Sequence, residues 1–555
     1  MKKVARSLSL WPFILLSAIS SSALFRGVSP AAPPHPLVYD VGIKNRFGAP
    51  LLTVPRAPRE SSSQLLKTVG VQGIAVIGIE FTDIKHRPQH DRSYFHDLIF
   101  ARSPKRAGIK SLFNYYKEVS YGRLLVDDGD GDPDAMDPNN IVMWVQSRHR
   151  MSYYGEDGTS VDNRNADISE LVREAIYLAD PKMDFSRLDL DGDRFVDHLI
   201  VIHAGGAQER TGNPVDIWSH RWEFTVPVPT GDGVAIRSYI LVSEDSPVGI
   251  IAHEFGHDIG LVDLYNVITY ETVAGFWDIM DQGAWLDDGK TPSHPGAWTR
   301  MLAGWIQAED GAKMEKVYMI EVYQKGSLYK FVAGADGKEY FLVENRHRVG
   351  FDLPLPGQGL LIWHVDERYG DLRNNAINVG KVRRVDLVEA DNTPTTTDPM
   401  DPRNATDPFF EGNNSEFTPF TSPSSRSNDG YDTGIYIVGI GVPGEIMYVY
   451  GKKVGLQFLA SQCYPVPSRG ERVKIKFSLS KAVRDEDITV SVYNVLGQLV
   501  YRTKKVSQLD LDPPTYIVEF PPSGRVPESG VYIYVIDVRS SEGNLRRVGK
   551  MVIAR

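Results

Sequence analysis

The stretch AHEFGHDIGLVDLYN, residues 252–266, governs how the rest of the chain is read. His253 and His257 stand four apart, so on a helix both imidazoles leave from one face and can grip one ion at about 2.0 to 2.1 Å. Glu254 sits one step round the same turn, where it can reach a water on the metal without itself ligating the ion. The flanks fit a helix. Ser246 offers an N-cap, Pro247 suits the first helical position, and Val248, Ile251, Phe255 and Ile259 form a stripe for burial. Gly260 then ends the helix and turns the chain back, which lets Asp263 supply a third ligand from outside it. Three protein ligands leave a fourth position open, the arrangement of a catalytic zinc and not of a closed structural one. The alternative is a surface helix with two solvated histidines. The Gly260 stop, the acid at Asp263 and a second element, GFWDIMDQGAW at 275–285, argue against it. Met280 in that second element is placed to form a turn under the metal as an apolar floor.

Working outward, GIAVIGIEF at 73–81 and HLIVIHAGG at 198–206 are apolar runs of the kind that form buried strands. Between and after them, IKSLFNYYKEV at 109–119 and ISELVREAIYLA at 168–179 carry apolar residues at helical spacing. Strands alternating with helices predict a mixed α/β domain over 69–308. The period then shortens to alternating segments such as VYMIEVY, EYFLVEN, GLLIWHV and IMYVYGK, which predict a β-rich domain over 309–455. A further set, including VKIKFSLS, ITVSVYNV and VYIYVIDVR, predicts a β-sandwich over 456–555.

The chain of 555 residues is folded and multidomain by its composition, and its net charge of −10 argues against a dedicated nucleic-acid binder. Lys2, Lys3 and Arg6 precede an apolar run from Leu8 to Leu24, with Ser21 and Ala23 placed for cleavage, so residues 1–23 read as a signal peptide. The expectation is a secreted or cell-surface protein without a transmembrane span in its mature form. Residues 24–68 read as a pro-segment, and the PAAPPHP tract at 30–36 within it favours extended conformations over a packed core. That segment has no cysteine to plug a metal site, which leaves an aspartate such as Asp40 or a steric block. The single cysteine, Cys463, excludes an intrachain disulfide and reads as a small buried residue. Bound cations are then a plausible source of rigidity. In DLDLDGDRFVD, Asp189, Asp191, Asp193 and Asp197 alternate around Gly192 as calcium ligands would, with the Phe195 carbonyl available. The spacing is not that of an EF-hand. A second cluster, DDGDGDPDAMD at 127–137, holds six aspartates and demands screening by cations or solvent.

Taken with HPGAWTRMLAGWI at 294–306, the two central motifs resemble the immune inhibitor A-type secreted metallopeptidases, a metzincin-like group. IEFTD at 79–83, YYKEVSYGRL at 115–124, DIWSHRW at 216–222 and EYFLVENRHRVGFDLPLPGQGLLIWHVDE at 339–367 extend the likeness over roughly residues 70–450. The resemblance implies zinc held by His253 and His257, Glu254 as catalytic base, Met280 as the Met-turn, and hydrolysis of peptide bonds in extracellular proteins. The longer metzincin pattern ends in histidine where this chain has Asp263, with Glu271, Asp278 and His294 as other candidates for the third ligand. SQCYPVP, VSVYNVLGQLVYR, ESGVYIYVIDV and GKMVIAR resemble the immunoglobulin-like sorting domain of the type IX secretion pathway, which implies outer-membrane secretion machinery as a partner; Val466 replaces the usual asparagine. Two other classes remain: a catalytically silent adhesin on the same fold, and a zinc hydrolase of a non-peptide substrate.

Overall fold

A computed structural model describes residues 32–35, 67–129, 140–157, 168–394 and 402–554, apart from 315, 335, 470, 510, 512, 522–527 and 541–542. The expected signal peptide, most of the expected pro-segment and most of the 127–137 cluster lie outside the described residues. Among the described residues no helix is long and apolar enough to cross a membrane.

The apolar run at 73–81 becomes β1, Gly70–Glu80, the centre of a six-stranded sheet. β2 (Leu124–Asp127), β3 (Ile141–Gln146) and β4 (His198–His203) each pair with it in parallel, and β6 (Ala235–Ser243) extends the sheet in parallel beyond β4. β5 (His220–Pro229) closes the edge antiparallel to β6. Side chains alternate across a strand, so a run buried on both faces must feed two cores. Ala75, Ile77, Leu199, Val201 and Leu241 face the helix Ser169–Ala179. Ile74, Val76, Ile200, Ile202 and Val242 face the helices Leu112–Val119 and Val248–Asp258. The sheet is therefore a plate with the histidine helix clamped to one side.

The next region is built on a five-stranded sheet of β7 (Glu309–Asp310), β9 (Leu328–Val332), β10 (Glu339–Arg346), β11 (Gly359–Asp366) and β12 (Val385–Val388). A three-stranded sheet of β8 (Lys316–Ile320), β13 (Ile435–Val438) and β14 (Ile446–Lys453) covers one of its faces, enclosing Phe341, Val343, Met319, Ile437 and Met447. The other face does not stand alone. Tyr340, Leu342, Leu361, Trp363 and Val365 share a core with Trp277, Trp298 and Trp305, so one hydrophobic core runs across position 308.

Buried charge ties the same seam. From β10, Arg346 donates to both oxygens of Asp352 at 2.7 and 2.8 Å, to the Trp277 carbonyl at 2.8 Å and to the His294 carbonyl at 3.3 Å. Arg300 pairs with Glu344, whose Oε1 also accepts from the Trp363 indole at 2.8 Å. These groups are wholly or almost wholly buried, and a buried charge is tolerated only when its partners are satisfied in this way. Residues 458–553 form two four-stranded antiparallel sheets around a core of their own that includes Val473, Phe477, Val490, Tyr516, Ile536 and Met551. Cys463 is half-buried, its Sγ 3.3 Å from the Lys550 carbonyl, and burial pushes its thiol pKa up.

Candidate metal centre

The helix Val248–Asp258 begins one residue later than its sequence suggests. Pro247 is itself the N-cap, with φ −70° and ψ 164°. Ser246 is not the cap: its Oγ accepts the Ser243 amide at 3.0 Å. One of the helix's free amides, Gly249 N–H, donates instead to the Gly289 carbonyl at 2.9 Å. Two glycines let this helix sit close to its neighbours. A Cβ on Gly249 would lie 2.0 Å from the Ala284 carbonyl oxygen, and one on Gly256 would lie 2.9 Å from Met280 Sδ. Met280 is fully buried beneath that helix. At the C-terminal end Gly260 has φ +107°, and the Leu261 amide donates back to the Gly256 carbonyl at 2.8 Å. This reversal carries Asp263 back towards the helix.

His253 and His257 present their Nε2 atoms 3.1 Å apart, and each lies 3.2 Å from Asp263 Oδ1. Each Nδ1–H is committed elsewhere: His253 donates to the Ile279 carbonyl at 2.9 Å and His257 to the Leu261 carbonyl at 3.1 Å. Both Nε2 atoms are then lone pairs, so three acceptors converge with no hydrogen to share and are mutually repulsive without a cation. The edge of a tetrahedral zinc site with bonds of 2.0 to 2.1 Å is about 3.3 to 3.4 Å. The donor set is thus chemically and geometrically suited to zinc, and it is fully buried.

Glu254 is fully buried, and neither carboxylate oxygen has a hydrogen-bond partner among the described residues. Burial pushes its carboxyl well above the usual range, and the negative charges of Asp263 and Glu209 add to the shift. A carboxylate left without partners beside three convergent ligands is poised to take a proton.

Of the other candidates for third ligand, Asp278 accepts from the Met280 and Gly296 amides and the Thr299 hydroxyl, each at 2.7 Å. His294 pairs with Glu118 at 2.7 Å, and Glu271 accepts from the Thr269 hydroxyl at 3.2 Å. None of the three joins the histidine pair.

Several supporting residues carry no sequence signal. Asn375, from the loop between β11 and β12, donates to Asp263 Oδ2 and accepts the Asp263 amide at 2.7 Å. Its φ of +53° places it in the left-handed region, which asparagine tolerates better than most residues. At the far end of the helix, Asp258 accepts from Arg221 Nε at 2.7 Å and lies 2.6 Å from His198 Nδ1. Burial alone would raise the Asp258 carboxyl, but Arg221 and His198 hold it well below its ordinary value.

The aspartate loop draws Asp189, Asp191 and Asp197 together, with one ligand atom of each within 4.8 Å of the others. Asp193 is not in that group; its Oδ1 accepts the Phe195 amide at 2.9 Å. A cation is already there: Lys67 Nζ lies 2.9 Å from Asp191 and 3.4 Å from Asp197.

Residues 80–314, which include the whole donor set, match the family described as the immune inhibitor A peptidase M6, catalytic domain. The chain is 29% identical to Immune inhibitor A of Bacillus thuringiensis subsp. alesti over 271 residues, covering 40% of this chain and 38% of that protein. It is 26% identical to the pre-pro-metalloprotease PrtV of Vibrio cholerae serotype O1 over 252 residues, covering 39% of this chain and 26% of that protein. The match thus spans well under half the length of either relative. Among solved structures, wild-type OgpA from Akkermansia muciniphila aligns over 90% of this chain and 97% of its own at 9% identity, but a TM-score of 0.20 carries no structural argument.

Proposed function

We propose that this chain is a secreted zinc endopeptidase with a metzincin-like catalytic region, acting on peptide bonds of extracellular proteins. The observation that carries the reading is the buried triangle of His253, His257 and Asp263 beside an unpartnered Glu254, in a segment that matches a peptidase catalytic domain. Zinc, when bound by the three ligands, supplies Lewis acidity to a peptide carbonyl and to a water molecule. Glu254 takes a proton from that water as its oxygen bonds to the carbonyl carbon, and delivers it to the amide nitrogen as the C–N bond breaks. Met280, wedged against Gly256, fixes the height of the helix, while the Ile279 and Leu261 carbonyls hold the imidazoles in the ligating tautomer.

The decisive experiment is casein hydrolysis by the purified chain and by its Glu254→Gln variant. The variant should retain zinc and fold but lose activity by a factor on the order of 10² to 10⁴. Chelation should abolish the wild-type activity and added zinc should restore it. Undiminished hydrolysis by the variant would sink the mechanism.

The export signal at 1–23, the pro-segment over 24–68 and calcium in the aspartate loop belong to the same proposal. So does the assignment of 456–555 as an immunoglobulin-like sorting module for type IX secretion, for which two sheets with a separate core offer support.

A further inference from the structure

Ala32–His35, with the sequence Ala-Pro-Pro-His, lies in a groove between Trp218–Ser219 and Gln282–Trp285, where Ala32, Pro33 and Pro34 are buried. Both of its backbone amides and the carbonyls of Ala32, Pro33 and Pro34 are engaged. The Ala32 amide donates to the Ser219 carbonyl at 3.1 Å and the His35 amide to the Glu209 carbonyl at 2.9 Å. The Ala32 carbonyl accepts from the Trp218 indole at 2.9 Å, the Pro33 carbonyl from the Trp285 indole at 2.7 Å, and the Pro34 carbonyl from Gln282 Nε2 at 3.4 Å. The His35 ring meets Trp285 edge-on at 4.7 Å, and its Nε2 lies 3.3 Å from Asp288. At this end the groove opens into a cavity of about 750 Å³ that Glu209, Arg210, Trp285 and Asp288 help to line.

The groove's chemistry is selective. It offers three side-chain donors to three successive carbonyls, and two carbonyl acceptors to amides placed three residues apart. A ligand with ordinary residues at the two middle positions would bury two amides with no acceptor in this set, whereas proline has no amide to satisfy. Prolines also preorganise the extended backbone, and indole-lined grooves are a recurring way of reading such peptides. Chain continuity relates the groove to the donor set: Trp218 and Ser219 lead directly into β5, and Gln282 follows Met280 by two residues.

We infer that Trp218, Trp285 and Gln282 form a proline-peptide subsite, filled in cis by Ala32–His35, in which the enzyme holds extended prolyl stretches of its substrate. The inference rests on the protease reading for its use, but the binding itself does not.

The test is a ligand-observed NMR titration of the full-length chain in the Glu254→Gln background, so that nothing is digested. The probes are acetyl-Ala-Pro-Pro-His-amide and acetyl-Ala-Ala-Ala-His-amide. Two further variants loosen the cis segment: Ala32→Arg, which places a large side chain where none fits, and Pro33→Ala with Pro34→Ala, which carries little steric risk. Each loosened chain should bind the proline peptide at least tenfold more tightly than the alanine peptide. It should also bind it at least tenfold more tightly than the chain with its native segment does. Trp285→Phe or Trp218→Phe, verified as folded by thermal unfolding, should erase the preference. Equal affinity for the two peptides, or a preference that survives both tryptophan substitutions, overturns the subsite. A chain that prefers the proline peptide yet hydrolyses no protein in its Glu254 form overturns the protease reading alone.

Discussion

Asn375 reaches the metal centre from more than a hundred residues away, and it fixes Asp263 from both sides by receiving the amide and donating to the carboxylate. Groups that orient metal ligands in this way are typically worth 10- to 100-fold in metal affinity. Asn375→Ala is therefore expected to weaken zinc binding by about that factor, read by competition with a chromophoric chelator, while the unfolding temperature of the metal-saturated chain moves little. His203 on β4 marks a different kind of sensitivity. Burial pushes its pKa down to about 4 from 6.5, and its Nδ1–H is spent on the Ala204 carbonyl at 3.0 Å. Above pH 6.5 the ring is neutral in both folded and unfolded chains. As the pH falls from 6.5 towards 4, only the unfolded chain takes up the proton, and the native state loses stability, by about 3 kcal/mol at most from this group. Thermal unfolding followed from pH 7 to pH 4 should show a shallower decline in His203→Gln than in the parent chain.

The loop at 189–197 and Lys67 behave as one element, in which two of the three clustered carboxylates, those of Asp191 and Asp197, share a lysine ammonium. If calcium is its physiological ion, Lys67 competes with it, and Lys67→Met should raise the unfolding temperature gained on adding calcium. An equal response in both chains would remove calcium from the loop. The acid spacing was legible in the sequence because alternation by two has a plain chemical reading; the lysine was not, since nothing in its neighbourhood marks it. The histidine helix is legible for the same reason, through its four-residue spacing and the glycine that ends it. Its start is misread by one position, because Ser246 and Pro247 suit two adjacent cap positions and only the tertiary contact of Gly249 with Gly289 decides between them. Of the proline tract, read as unable to build a core, Ala32–His35 are described, and Ala32 lies within the core that contains the histidine helix, since an extended segment needs only a groove with the right donors.

At the scale of the molecule, the division at position 308 visible in the sequence is a change of secondary structure and not of packing. Trp363, Leu342 and Trp277 share one core, and Arg346 spans the seam, whereas the core of residues 458–553 shares no residue with it. A chain truncated after residue 455 is expected to keep the main thermal transition of the whole, and one truncated after 308 to fail to fold, as calorimetry of the two would establish. The asparagine that crosses this seam to Asp263 has a further consequence. An ion held by the donor set would share one ligand, Asp263, with the β-rich region, so by reciprocity each would stabilise the grip of the other. Escape of that ion is then expected to follow a momentary parting of the two regions, and its residence time, measured by isotopic zinc exchange, becomes a clock for how often that seam breathes.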